Sequence, residues 1–119
     1  MKAVLLVSHG SRLAQTKKEV SSLVSRLRKQ WKKGFIDYAF LEIESPSIPK
    51  GIEKCIKKGA TQVVILLNFL NSGKHVEVDI PRIIKGTQKE YPQVKFKVTQ
   101  PIGQHQGIVE LFLDLIYEN

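Results

Sequence analysis

Four short apolar runs alternate with four stretches in which apolar residues recur at helical spacing, and this alternation constrains the chain more than any other feature. The first run, "KAVLLVS" at 2–8, halts at "HGS". Val20, Leu23, Val24, Leu27 and Trp31 then follow the i, i+3, i+4, i+7, i+11 series of one helix face, with Trp31 as a core anchor and Gly34 as the stop. "FIDYAFLEI" (35–43) is rich in β-formers and reads as the second strand. "SPSIP" breaks it. There Ser47 reads as an N-cap and Pro49 fits a first helical turn, so a second helix is expected to about Gly59.

"QVVILLNFL" (62–70) is continuously apolar, as in a central strand covered on both faces. After the loop "NSGKH", a third helix is expected near Asp79–Pro81, with Asp79 as its N-cap and Ile80, Ile83, Ile84, Thr87 and Tyr91 on one face. "VKFKV" (94–98) alternates apolar and polar residues, the pattern of an edge strand with one wet face. Beyond "QPIGQHQ", Ile108, Leu111, Phe112, Leu115 and Ile116 make the apolar face of a last amphipathic helix, with His105 at its start.

The order βαβαβαβα implies an α/β fold: a four-stranded parallel sheet with right-handed crossovers and helices on both faces. A chain of 119 residues suits one domain, 1–119. No run approaches the roughly 18 apolar residues that span a bilayer. "MKAVLLVSHG" lacks the small-residue cleavage site of a signal peptide, so no membrane association and a cytoplasmic location are expected. The single cysteine, Cys55, excludes an internal disulfide and a Cys-based metal cluster within one chain. It shares a helix face with Ile52 and Ile56 and is expected as a small buried hydrophobe.

The net charge of +8 raises nucleic-acid binding as the non-enzyme alternative. Residues 12–34 carry Arg12, Lys17, Lys18, Arg26, Arg28, Lys29, Lys32 and Lys33 against one acid, Glu19. Trp31, the one aromatic residue among them, belongs to the apolar face, and many of the cations sit in the last turns of a helix, where the macrodipole favours them. A solvated basic face is the expectation, with no nucleic-acid partner.

In an open parallel sheet, ligands bind beyond the carboxyl ends of the strands. His9 lies just past the first strand, Glu42 at the end of the second and His75 in the loop after the third. Each alone reads as a loop or surface residue. If strand one lies between strands two and three, the two imidazoles and the carboxylate meet at one edge. Such nitrogen and oxygen donors suit a borderline divalent ion, cobalt, nickel, iron or zinc, and two or three of them leave coordination positions open. Asp79 has a second reading, holding an imidazole tautomer. The backbone amides of Gly10, Ser11, Ser72 and Gly73 are available to an anion. Neither a Walker sequence nor G-x-G-x-x-G is present, so a nucleotide cofactor has no support. "SHG" is close to the R-H-G of histidine phosphatases, but Ser8 stands where their phosphate-clamping arginine would be.

At "LVSHGSR", "AFLEIESPSIPKGIE" and "LLNFLNSGKHVEVDIPRI" the sequence resembles the small form of the CbiX-type class II chelatases, over essentially its whole length. These enzymes insert a divalent metal, typically cobalt, into sirohydrochlorin. The resemblance implies the chelatase-type α/β sandwich, metal contacts at His9 and His75, and Glu42 beside them. It implies no permanent cofactor, the ion being substrate, with nickel or ferrous iron as alternatives to cobalt. Ser11, Arg12, Ser72, Gly73 and Lys74 become candidate tetrapyrrole contacts, and Arg82 a further cation for the ring's carboxylates. Larger relatives hold the ring between two such domains in one chain, so a homodimer is implied here. His105 matches no motif of the family.

Overall fold

The structure is a computed structural model and describes residues 1–118. Strand β1 (Lys2–Ser8) has apolar residues pointing to both faces of the sheet, and both faces are covered: Leu5 and Val7 are fully buried on one, Leu6 on the other. Only a strand between neighbours and between layers reads this way. It pairs in parallel with β2 (Gly34–Phe40), Lys2 opposite Gly34 through Ser8 opposite Phe40, and with β3 (Gln62–Leu67), Lys2 opposite Gln62 through Val7 opposite Leu67. Strand β4 (Lys95–Val98) joins β3, and the order is β2-β1-β3-β4. Strand one therefore lies between strands two and three.

Helix α1 (Ala14–Gln30) covers one face, where Val20 and Val24 pack on Leu6, Ile36 and Phe40. Helices α2 (Ile48–Lys57) and α3 (Ile80–Glu90) cover the other, and there Ile48, Ile52, Cys55, Ile80 and Ile84 close the larger core over Leu5, Val7, Val63, Ile65 and Leu67. Ser47 caps α2 as expected, its hydroxyl accepting from the Lys50 amide at 3.3 Å. Burial pushes the Cys55 thiol up to about 11. The outer edge of β2 is closed by side chains. Arg28 donates twice to the Ile36 carbonyl, at 2.9 and 2.7 Å. The buried Asp37 carboxylate meets Lys54 at 2.8 Å and Arg28 at 3.5 Å, and the hydrogen bond it accepts from Lys54, together with its charge, raises the Lys54 ammonium above its ordinary range. A charged, occupied edge does not accept another strand.

Several boundaries differ from the sequence reading. Strand β2 ends at Phe40 and β3 at Leu67, so Ile43 and Leu70, read as strand ends, lie in loops and are 57% and 61% exposed. Trp31 lies one residue past α1, in extended conformation, yet still packs on the α1-side core. The largest departure is α4 (Ile108–Glu118), which follows a 3-10 turn at Ile102–Gln104. None of its residues is buried, and Leu111, Phe112, Leu115 and Ile116, expected to face the core, are all more than half exposed. Among the described residues no helix is long and apolar enough to cross a membrane.

Candidate metal centre

The chain leaves β1 through Gly10, whose φ of +106° is open to glycine and strained for other residues. A Cβ there would also strike the carbonyl oxygen of Glu42. This close approach is part of a lock between the loops that follow β1 and β2. The Leu41 amide donates to the Ser8 carbonyl at 2.9 Å and the Glu42 amide to the His9 carbonyl at 3.1 Å, continuing the strand pairing past its end. Glu44 Oε1 accepts from the Ser11 amide at 2.8 Å. Between these bonds sits Ile43 at φ +70°, an unusual place for a β-branched residue. The turn presents Glu42, whose Oε2 lies 3.5 Å from His9 Nε2.

His75 arrives differently. It opens a π-helical turn (His75–Asp79) that runs directly into α3. Asp79 is not the N-cap expected from the sequence: the helical path begins a turn earlier, so Asp79 has helical torsions and makes no capping bond. Side chains four apart on a helix are neighbours, and Asp79 Oδ2 lies 2.8 Å from His75 Nδ1. Arg82 approaches the other carboxylate oxygen at 3.8 Å.

These contacts decide which nitrogen of each ring is free. His9 Nδ1 lies 3.1 Å from the Gly10 carbonyl and His75 Nδ1 faces a carboxylate. Both partners only accept, so each Nδ1 carries its proton and donates. Each neutral ring then keeps a lone pair on Nε2, the arrangement in which an outer partner orients a metal-binding imidazole. The rings lie 4.8 Å apart between centroids, tilted by 45°. His9, Glu42 and His75 each offer one ligand atom, and these atoms lie within 4.8 Å of one another. Two donors about 2.1 Å from one ion are at most about 4.2 Å apart, so holding an ion requires a small inward rotation. The three side chains are 45%, 51% and 42% exposed, so the site is open to solvent.

Of the other candidates, Ser11 gives its amide to Glu44 in the lock, while its hydroxyl accepts from the Leu13 amide at 3.1 Å and keeps a proton to donate. Arg12, Ser72, Gly73 and Lys74 are exposed. His105 stands apart from it, with Nδ1 accepting from the Gly107 amide at 2.9 Å, a structural role at the foot of α4. Sequence reasoning did not find the lock residues Ile43 and Glu44. Neither a positive φ on isoleucine nor a carboxylate reaching 33 residues back has a local signal.

A sequence model of the CbiX family matches residues 3–119. The chain belongs to that family. It is similar to the sirohydrochlorin cobaltochelatase of Methanococcus aeolicus, 33% identical, with 96% of each chain covered. It is 35% identical to the sirohydrochlorin ferrochelatase of Priestia megaterium over 99% of its own length and 44% of that protein's. The sirohydrochlorin chelatase SirB from Bacillus subtilis subspecies spizizenii, in complex with cobalt, has a similar fold, with a TM-score of 0.90 and 27% identity; 98% of this chain covers 50% of that one. The CbiX chain thus spans about half or less of the length of several curated relatives it matches.

Proposed function

We propose that this CbiX chain, as one chelatase domain over residues 1–119, inserts a divalent metal ion into sirohydrochlorin without ATP. In this reading it works in the cytoplasm as a pair of copies that enclose the ring. The observation that carries the reading is the cluster of one ligand atom each from His9, His75 and Glu42, within 4.8 Å of one another at an open sheet edge. The names of the similar proteins in Methanococcus and Priestia support the macrocycle.

Insertion exchanges two pyrrole N–H protons for one M²⁺, so charge is conserved. The two imidazoles and Glu42 hold the ion with coordination positions left for ring nitrogens. As the ion passes to the ring, Glu42 is released and accepts one proton; the second leaves through the solvent-exposed edge. Binding energy from the ring's periphery, supplied by Arg12, Lys74 and Arg82 to its carboxylates and by the loop residues Ser11, Ser72 and Gly73, strains the macrocycle towards the ion. Cobalt is the first ion proposed. Nickel and ferrous iron are the alternatives, because the same donors serve all three.

The test is the visible absorbance of anaerobic sirohydrochlorin mixed with protein and Co²⁺, Ni²⁺ or Fe²⁺, beside a His9→Ala/His75→Ala variant. A metal-dependent spectral change faster than the protein-free control, and lost in the variant, is expected. No acceleration with any of the three ions would sink the reading.

A further inference from the structure

The two ends of the sheet differ in what they expose. At the amino ends of the strands, Lys32, Lys33 and Lys58 line a shallow groove beside Met1. Among the described residues, the exposed large apolar side chains outside α4 are Met1 and six others: Leu13, Ile43, Leu70, Val78, Val98 and Ile102. All six lie at or beyond the carboxyl ends of the strands, the edge that holds His9, Glu42 and His75. Single exposed apolar residues are ordinary, but their concentration at one edge marks a binding surface.

Two of the six are held out by their own backbone. Ile43, 57% exposed, stands at φ +70°, where a β-branched residue is strained. The amides on either side fix it there: Glu42 donates to the His9 carbonyl at 3.1 Å, and Glu44 to the Glu42 carbonyl at 2.8 Å. Leu70, 61% exposed, has its carbonyl taken by Gln104 Nε2 at 3.0 Å, and Gly103 packs so closely on its backbone that a Cβ would collide. The Gly103 amide also donates to the Phe69 carbonyl at 3.0 Å. Neither side chain belongs to either hydrophobic core. Strain that the interior of the fold does not use points to a functional position. The strand order β2-β1-β3 sets the loop of Ile43 on one side of His9 and the loop of Leu70 on the other.

We propose that Ile43 and Leu70 are specificity-determining residues that grip the hydrocarbon face of the macrocycle on the two sides of the metal donors. The edge matches such a ligand part by part. Imidazole and carboxylate meet the ion, aliphatic side chains meet the ring face, and the exposed cations Arg12 and Lys74 meet the peripheral carboxylates. Cations alone accept any polycarboxylate. The aliphatic pair discriminates, because only a ligand with an apolar face removes its surface from water. The inference rests on the tetrapyrrole reading above and adds to it the residues that select the ring.

The test titrates the full chain with metal-free sirohydrochlorin under anaerobic conditions, followed by fluorescence, and repeats the absorbance assay with Co²⁺. Ile43→Asn and Leu70→Asn are compared with the parent protein. Asparagine tolerates the left-handed backbone, so Ile43→Asn removes the aliphatic group without adding strain. Ile43→Gly and Leu70→Ala serve where a polar variant folds poorly, and Ile43→Leu tests rescue. Each polar variant is expected to weaken ring binding and raise KM roughly tenfold or more, the scale of a lost apolar contact. Co²⁺ affinity should stay at the parent value, and Ile43→Leu should restore ring binding. Parent ring affinity in both polar variants would overturn the proposal and leave the chelatase reading standing. Co²⁺ affinity that falls in step with ring affinity would also overturn it, because the two residues would then serve the metal loops. A parent that binds the ring and accelerates no insertion, with ring binding weakened in both variants, would remove the chelatase reading and keep the grip. A parent that does not bind the ring would remove both.

Discussion

The two halves of the candidate metal centre are held by different physics. His9 and Glu42 sit on loops welded together by backbone bonds, with Gly10 pressed against the Glu42 carbonyl. His75 stands on the first turn of a helix, and its ring is held by one carboxylate. In the first half, the distance between donors is a property of the fold. In the second, it is a property of one hydrogen bond. Damage to the first half is therefore expected in stability and metal binding together, and damage to the second in metal binding alone.

The sharpest way to break this contrast is Gly10→Ala. The added methyl must push Glu42 away, and its φ is strained for alanine, so a loss of about 2 kcal/mol or more is expected. Thermal unfolding and Co²⁺ titration calorimetry should register it together, with affinity down on the order of 100-fold. Unchanged affinity would mean that the lock does not set the site. His75→Ala should lower Co²⁺ affinity by a similar factor while unfolding at nearly the parent temperature, since the ring is 42% exposed; a large fall in melting temperature would erase the difference between the halves.

Asp79→Asn keeps the size of the side chain but lets the His75 ring lose its fixed tautomer. A 10- to 100-fold drop in metal affinity follows from the usual worth of such outer partners, and nitrogen-15 NMR of the imidazole should report mixed tautomers. A ring still wholly protonated on Nδ1 would refute the assignment. The smallest effect expected is at Ile43→Gly. It relieves roughly 1–2 kcal/mol of left-handed backbone strain and returns about 0.5–1 kcal/mol of chain entropy, so chemical denaturation should find a gain of no more than about 1 kcal/mol. A clear loss would mean that the isoleucine side chain, 57% exposed, supports the turn after all.

Much of this arrangement is legible in the sequence, and the gaps have physical causes. The runs of β1 and β3 announce a central parallel sheet because residues on both of their faces are apolar. The rule that ligands gather beyond strand ends picks out His9, Glu42 and His75, whose ligand atoms the fold brings within 4.8 Å of one another. Asp79 misleads because an acid two residues before a proline looks like a helix start, whereas the helical path had begun at His75. Ile43 and Leu70 extend their strands on paper because hydropathy continues where pairing stops. Helix α4 is the instructive failure. Periodicity reveals its apolar stripe but says nothing about which surface receives it, and within this chain that stripe stays exposed.

Cys55 bears on delivery. A protein that hands on a borderline divalent ion must not contain a better resting place for it. Thiolate is the strongest such competitor among side chains, and it binds as the deprotonated form. Buried at 0% exposure and pushed up to about 11, the one thiol of this chain is withheld from the ion by both access and charge. Under the proposed function, the ion would therefore meet imidazole and carboxylate at His9, His75 and Glu42, donors from which it can still be released.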